Sequence, residues 1–127
     1  MTGSQLLSDA LALLATNTEL APDYAEYALP LINLLIAEVN GVNNTLRASK
    51  GKKELEEAPR ISHISEPLPT EEELNRAALV YGLCSKLLLN DDDLARVAYF
   101  QNMCVSEINS SSRWISHGGV DLYGGGE

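Results

Sequence analysis

The residues that most often carry out chemistry are few in this chain and lie apart from one another. His63 and His117 fall in segments without a helical period, and neither belongs to a CxxC or HExxH motif. Because a metal site needs clustered ligands at defined spacings, we expect both histidines to face solvent. The run Asp91-Asp92-Asp93 lacks the spaced ligands and glycine of a calcium-binding loop, and a turn followed by a helix cap explains it. The sequence therefore predicts no metal site.

Nucleophilic chemistry is not indicated either. Cys84 and Cys104 are the two cysteines. In a helical hairpin that turns near Asp91 they lie roughly 9 Å apart along the helix axis, too far for a disulfide. We expect two free, buried thiols that act as small apolar side chains in a reducing compartment. No Ser-His-Asp arrangement, glycine-rich phosphate loop or facing carboxylate pair is found, so we predict no enzymatic activity and no cofactor.

The best polar candidate is a cluster of basic residues in a protein whose net charge is −9. That charge disfavours binding of a phosphate backbone by the surface as a whole, but it leaves a local basic patch open. The patch is either part of a solvated loop or a contact with DNA or with an acidic partner. The candidate contacts are Arg47, Lys50, Lys52 and Lys53.

Helical periods indicate the elements that position these residues. A chain rich in leucine and alanine and poor in β-branched residues favours an all-α fold. We predict a four-to-five-helix bundle whose centre is an antiparallel hairpin of helices 71–89 and 92–109. Thr70 and Glu73 have the spacing of a capping box at the start of this hairpin. Its contacts are predicted to be Leu74, Ala78, Tyr81, Leu88, Leu94, Val97, Val105 and Ile108.

The remaining segments complete one helical domain over residues 1–115. A first helix should end near Ala15, and a second should run to about Asn44 with a kink or break at Pro30. The long loop 48–69 contains glycine, three prolines and many charges. It is therefore predicted to be the most mobile internal segment, with early cleavage by trypsin at its lysines. Residues 116–127 are predicted to form a flexible, extended, Gly-rich tail.

The first helix of the hairpin is apolar on nearly all sides. Leu79, Val80 and Leu83 fall outside its main apolar stripe. A helix of this kind needs cover on several sides, so it is either the central helix or part of a subunit interface. If three neighbouring helices leave these residues exposed, they form an oligomer interface.

Two aromatic residues near the C-terminus are the best apolar docking candidates. Trp114 and Tyr123 lie in or beside the Gly-rich tail. Such residues either dock on a neighbouring chain or fold back onto the core of their own. No apolar run reaches the roughly 18 residues that a membrane span needs, and Met1-Thr2-Gly3-Ser4 lacks the basic start of a secretion signal. We therefore expect no membrane partner.

The order of these elements resembles a known family. A short helix precedes PDYAEYALPLINLLIAEVN, and a loop precedes LPTEEELNRAALVYGLCSKLLLNDDDLARVAYFQNMCVSEIN. Over roughly residues 2–115 this is similar to the small helical head-to-tail connector, or head-completion, proteins of tailed phages and prophages. The resemblance rests on helix order and composition.

The resemblance implies a structural virion protein that forms a ring with itself, joins portal and tail proteins, and lines part of the DNA channel. It implies a place in the bacterial cytoplasm during assembly and then in the virion. An acidic channel would let DNA pass with only non-specific contact. The alternative interpretation is a small prophage-encoded, protein-binding helical module without catalytic activity.

Overall fold

The structure is a computed structural model that describes residues 1–14, 21–90 and 93–119, with the backbone alone for 21–26, 90 and 112–119. Within these residues it contains six α-helices and no β-strand. The predicted all-α fold and helical bundle are therefore confirmed. The helices are α1 (Gly3–Leu13), α2 (Ala21–Glu38), α3 (Asn40–Ser49), α4 (Glu72–Asn75), α5 (Ala78–Leu87) and α6 (Leu94–Gly119), with one 3-10 turn at Leu88–Asn90.

The central element is α5, which packs against α1, α2, α4 and α6. Leu79 and Leu83 are fully buried, and the small residues Gly82 and Ser85 are enclosed as well. Gly82 permits the close approach of α2, because a Cβ at this position would lie 2.6 Å from Leu35 Cδ1. The apolar surface on all sides of α5 is thus covered within one chain. Of the two readings that the sequence left open, the central helix is confirmed.

The antiparallel hairpin of α5 and α6 is also present. The rings of Tyr81 and Phe100 stack with their centroids 6.3 Å apart. Asp93 begins α6, and its Oδ1 accepts a hydrogen bond from the backbone N–H of Arg96 at 3.2 Å. Among the predicted contact residues, Leu74, Ala78, Leu88 and Val97 are buried, and Tyr81 and Ile108 are partly buried. The prediction is wrong for Leu94 and Val105, because their side chains are 77% and 54% exposed.

The hairpin does not begin with the predicted capping box. The Thr70 hydroxyl donates to Asn75 Oδ1, and Asn75 Nδ2 donates to the carbonyl of Thr70 at 3.1 Å. Helix α4 begins at Glu72 and lasts four residues. The chain then leaves helical geometry at Ala77, where φ is −141° and ψ is −46°. The cause is a tertiary contact. The side chain of Glu71 packs among basic side chains from elsewhere in the chain, and this places Thr70 outside the start of the helix.

The second predicted helix is divided, but not at Pro30. Helix α2 continues through Pro30 to Glu38, and Pro30 is exposed. The carbonyl that loses its intrahelical donor there can be hydrated instead. The division occurs at Val39, where φ is −95° and ψ is 6°. It redirects the chain so that α3 packs against α6.

The long loop is tied to the helices at several points. Asn44 Nδ2 donates to the carbonyl of Leu55 at 3.0 Å, and the N–H of Leu55 donates to Asn44 Oδ1 at 2.8 Å. Asn33 binds Ile61 in the same way. The side chains of Ile61 and Leu68 are buried in the core. These bonds oppose the prediction of a highly mobile loop. They hold the backbone of the loop at defined positions, and the composition of the loop does not reveal them.

The first residues of the chain tie down the end of this loop. The N–H of Ser4 donates to the carbonyl of Ile64 at 2.7 Å, and the N–H of Leu68 donates to the carbonyl of Met1 at 2.8 Å. At the same place Thr2 and Gln5 form the capping box of α1: Thr2 Oγ1 accepts from the N–H of Gln5 at 3.2 Å. The start of the chain therefore both begins α1 and fastens the loop.

Helix α6 is longer than the sequence indicates. We expected its end near Asn109, but the backbone stays helical through Ser110 to Gly119. Ser111 fits because its hydroxyl donates to the carbonyl of Glu107 at 3.1 Å, within the helix. Residues 116–119 are thus helical rather than an extended tail. Residues 120–127 lie outside the described residues, and their flexibility stays a prediction.

Candidate functional site

A glycine turn at the end of α3 directs the basic residues. Gly51 has a φ of 76°, a left-handed conformation that glycine adopts without strain. Its N–H donates to the carbonyl of Ala48 at 3.0 Å, and the N–H of Lys52 donates to the carbonyl of Arg47 at 2.8 Å. This pair of bonds is a Schellman motif. It turns the chain back so that the ammonium groups of Lys50 and Lys52 meet on one carboxylate.

That carboxylate belongs to Glu71, whose side chain is only 7% exposed. The Nζ atoms of Lys50 and Lys52 each lie 2.9 Å from Glu71 Oε1. Arg47 approaches the other carboxylate oxygen at 3.8 Å. Lys50 Nζ also lies 2.7 Å from Glu73 Oε1. We call these five residues the Glu71 cluster: Arg47, Lys50, Lys52, Glu71 and Glu73.

The hydrogen bonds of the cluster favour the charged forms. Burial opposes ionisation of Glu71, but hydrogen bonds from Lys50 and Lys52 outweigh it and hold its pKa below the usual value. The hydrogen bond from Lys50 likewise lowers the pKa of Glu73. Bonds to Glu73 and Glu71 raise the pKa of Lys50. The cluster is therefore an ion-pair network at neutral pH.

This geometry changes the interpretation of the predicted basic patch. Of the four candidate cations, Arg47, Lys50 and Lys52 face carboxylates of their own chain. Lys53 is exposed, and its carbonyl accepts a hydrogen bond from Arg47 Nε at 2.8 Å. Much of the positive potential that would attract a phosphate is neutralised locally. The arrangement fastens α3 and the loop to α4.

The predicted oligomer interface is corrected. Leu79 and Leu83 are 0% exposed and Val80 is 6% exposed. Helices α1, α2, α4 and α6 pack against α5, so these three side chains belong to the core of one copy. They cannot meet a neighbour without unfolding the monomer.

Other apolar residues are exposed, and the sequence analysis did not single them out. On α2, Tyr27 and Leu34 are 48% and 51% exposed, and Leu89 beyond α5 is 61% exposed. Tyr27, Pro30, Leu31 and Leu34 share one face of α2 by their spacing. The sequence does contain a sign of this exposed face, because α2 carries more apolar residues than one buried stripe requires.

Two clefts open between α2 and the hairpin. One, of about 330 Å³, lies between α2, α5 and α6. The other, of about 270 Å³, lies between the middle of α2 and the end of α5. Lys86 lines both, and we call the two together the α2–α6 groove. Its apolar walls include Tyr27, Leu31, Leu35, Leu89, Cys104 and Val105.

The two cysteines are free and buried, as predicted. The Cys84 thiol lies 3.4 Å from the carbonyl of Ala10. Burial raises the pKa of Cys84 to about 12 and also raises the pKa of Cys104. Because the thiolate is the reactive form, neither residue is a nucleophile at neutral pH.

Of the remaining predicted positions, the structure describes the side chain of His63. His63 is exposed, and its backbone N–H donates to Glu66 Oε2 at 2.6 Å. Within residues 1–14, 21–90 and 93–119, no group of three His, Cys, Asp or Glu side chains could hold a metal ion. The side chains of Trp114 and His117 and the whole of Tyr123 lie outside the described part of the chain.

Comparison with known proteins finds no matching family model, no similar curated protein and no similar solved structure. None of the described helices is both long and apolar enough to cross a membrane.

Proposed function

We propose that this chain is a non-enzymatic structural adaptor, a head-to-tail connector that assembles into a ring of identical copies in a phage particle. The observation that carries the proposal is the exposed apolar face of α2, with Tyr27 and Leu34, beside the exposed Leu89. Apolar surface gathered on one side of a folded domain usually marks a protein interface. This face replaces Leu79, Val80 and Leu83 as the contact between copies.

The order of helices supports the connector proposal through its resemblance to that family. In the proposal, the ring joins portal and tail proteins and surrounds the path of DNA. A net charge of −9 per copy suits a channel that DNA crosses without sticking, because like charges repel. The protein would be found in the bacterial cytoplasm during assembly and in the virion afterwards.

The α2–α6 groove favours a second candidate, a small helical module that binds another protein. Grooves lined by leucine and valine between helices accept the apolar face of a partner helix. The two candidates differ in what the purified chain does alone. A connector associates with itself as its concentration rises, whereas a module of this kind stays monomeric and binds a different chain.

Sedimentation velocity and native mass spectrometry over a wide concentration range test the proposal. We expect self-association that strengthens as salt rises, because salt screens the repulsion between acidic copies. Leu34→Glu should weaken association by roughly tenfold or more, since it places a charge on the apolar face. Leu13→Glu, at a residue that is 48% exposed on α1, is the matched control and should associate normally.

Electron microscopy adds a test of closure. Copies that meet head to tail close into a ring when the rotation between them permits, and otherwise form open filaments. The connector proposal expects closed rings with a central channel. A chain that stays monomeric at every concentration, or that forms filaments, contradicts it.

A further inference from the structure

The α2–α6 groove has walls from three helices and little charge. Its charged side chains are Lys86 and Glu38, whose Nζ and Oε2 atoms are 2.8 Å apart. Lys86 is only 13% exposed, whereas Glu38 is 51% exposed. The groove therefore offers an apolar surface with one cation held at its middle.

A segment of the same chain has matching chemistry. Residues 120–127 read VDLYGGGE and lie outside the described residues. In an extended segment, Val120 and Leu122 would lie on one side. Asp121 and Tyr123 would then lie on the other side, so Val120 and Leu122 are the residues whose chemistry matches the apolar groove. Two internal segments also lie outside the description: residues 15–20, which are joined to a helix at both ends and offer only Leu20 as a large apolar residue, and residues 91–92, which are two aspartates.

The length of α6 decides which copy this segment can reach. The helix runs to Gly119, eleven residues beyond Ile108, the last groove residue on α6. At 1.5 Å per residue, Gly119 lies about 16 Å past Ile108. The three residues to Leu122 span at most about 11 Å when fully extended. Val120 and Leu122 therefore stop at least about 5 Å short of Ile108, the near end of the groove of their own copy, and cannot enter it.

We propose that residues 120–127 of one copy dock in the α2–α6 groove of the next copy. This inference rests on the proposed self-association and names the surfaces that perform it. Helix α6 acts as the arm that carries the segment away from its own domain, and the groove receives it. The two surfaces differ, so each copy donates one segment and accepts another. Such a head-to-tail contact is the kind that generates closed rings.

Substitutions on each side of the contact test the proposal in the full-length chain. The double variant Val120→Ser, Leu122→Ser removes the two apolar side chains that would lie on one side of the segment. Val105→Glu and Leu89→Glu each place a charge in the groove at residues that are 54% and 61% exposed, so folding should be unaffected. Each variant should weaken association by roughly tenfold or more. Leu94→Glu is the control, because Leu94 is exposed on α6 but lines neither cleft.

A fluorescein-labelled peptide of residues 119–127 provides a second, independent measurement. Fluorescence anisotropy should show saturable binding to dilute, monomeric protein. Val105→Glu should abolish this binding, and Leu94→Glu should leave it unchanged. Excess unlabelled peptide should also dissociate the oligomers. Circular dichroism and thermal melting confirm that each variant is folded.

The outcomes separate this inference from the connector proposal. If the segment variant associates normally while Leu34→Glu does not, the segment contact is wrong and the connector proposal stands. If the unmodified chain never associates, the connector proposal and this contact between copies both fail, whatever the peptide does. Absence of peptide binding overturns the proposed contact between the segment and the groove. A segment variant that lowers the melting temperature of the monomer without affecting association indicates docking within one copy, which also overturns it.

Discussion

Asn33 and Ile61 exchange two hydrogen bonds in the interior of the protein. The Nδ2 of Asn33 donates to the carbonyl of Ile61 at 3.0 Å, and the N–H of Ile61 donates to Asn33 Oδ1 at 2.9 Å. One amide side chain thus satisfies both backbone groups of a buried loop residue. This contact allows the side chain of Ile61 to enter the core, because buried backbone groups without partners are costly.

Asn33→Ala should therefore lower the free energy of unfolding by about 2–4 kcal/mol, since it leaves two buried backbone groups of Ile61 without partners. Trypsin should cleave faster after Arg60, the residue before Ile61. Asn44→Ala is the matched control. It loses the same pair of bonds to Leu55, which is only half-buried, so water replaces them and the loss should be about 1 kcal/mol. Urea unfolding gives both values, and equal losses would contradict the interpretation.

The Glu71 cluster predicts how stability depends on pH. The pKa of Glu71 is lowered from 4.5 in the folded state. Its stabilisation is therefore present above about pH 4.5 and is lost as the pH falls through the lowered pKa. The pKa of Lys50 is raised from 10.5, so its stabilisation is present below about pH 10.5 and is lost as the pH rises through the raised pKa. The contribution of the cluster to stability should be flat between these limits.

Glu71→Gln tests the same cluster by substitution. It removes the charge that faces three cations and should cost about 1–2 kcal/mol at neutral pH. It should also reduce the loss of stability in acid. Glu72→Gln is the control, because its carboxylate is 75% exposed and pairs with Arg76 at 3.5 Å on the surface. Exposed pairs of this kind contribute little, and the control should melt like the unmodified chain. Identical acid transitions in both variants would remove Glu71 from the explanation.

Two glycines of the α3 region should respond in opposite directions to alanine. Gly51→Ala places a Cβ on a residue with φ of 76° and should cost about 1 kcal/mol. Gly41→Ala lies within α3 with no atom within 4 Å of the new Cβ, and it should stabilise the protein by about 0.5–1 kcal/mol. Thermal melting of the pair measures the difference. Equal shifts would show that the turn at Gly51 does not hold the chain in this conformation.

Substitutions in α5 distinguish the core from an interface. Leu83→Ala should lower the free energy of unfolding by about 2–5 kcal/mol, since Leu83 is fully buried. Val80→Glu and Leu83→Glu should unfold the monomer, because each would bury an unpaired charge. Circular dichroism of dilute protein detects this loss. A folded Leu83→Glu monomer would restore α5 as a candidate surface.

The sequence predicts the helices well where the signal is local. The spacing of Thr2 and Gln5 predicts the cap of α1, and Asp93 begins α6 as a capping residue should. The apolar residues around α5 predict a helix covered on several sides. Helical period and caps depend on residues three or four positions apart, so the chain carries this information in any short window.

Interactions between distant residues explain where the local signals fail. Thr70 and Glu73 have the spacing of a cap, yet Lys50 bonds to Glu73, and Glu71 is bonded by Lys50, Lys52 and Asn43. These partners lie about twenty or more positions earlier in the chain. The pattern within one helix therefore cannot predict whether a side chain caps that helix or pairs with a distant residue.

The amino-acid sequence alone determined that the protein is helical, that α5 needs cover on several sides and that the two thiols are buried. The tertiary structure decided which charged residues are paired within the chain and which apolar residues remain at the surface. In the sequence, a free basic patch is indicated by Arg47, Lys50 and Lys52. In the fold, Glu71 lies against all three. Leu34 reads as part of a buried stripe until α5 packs against one side of α2 and leaves the other side in water. Burial and pairing depend on which surfaces meet, and that depends on the packing of the whole chain.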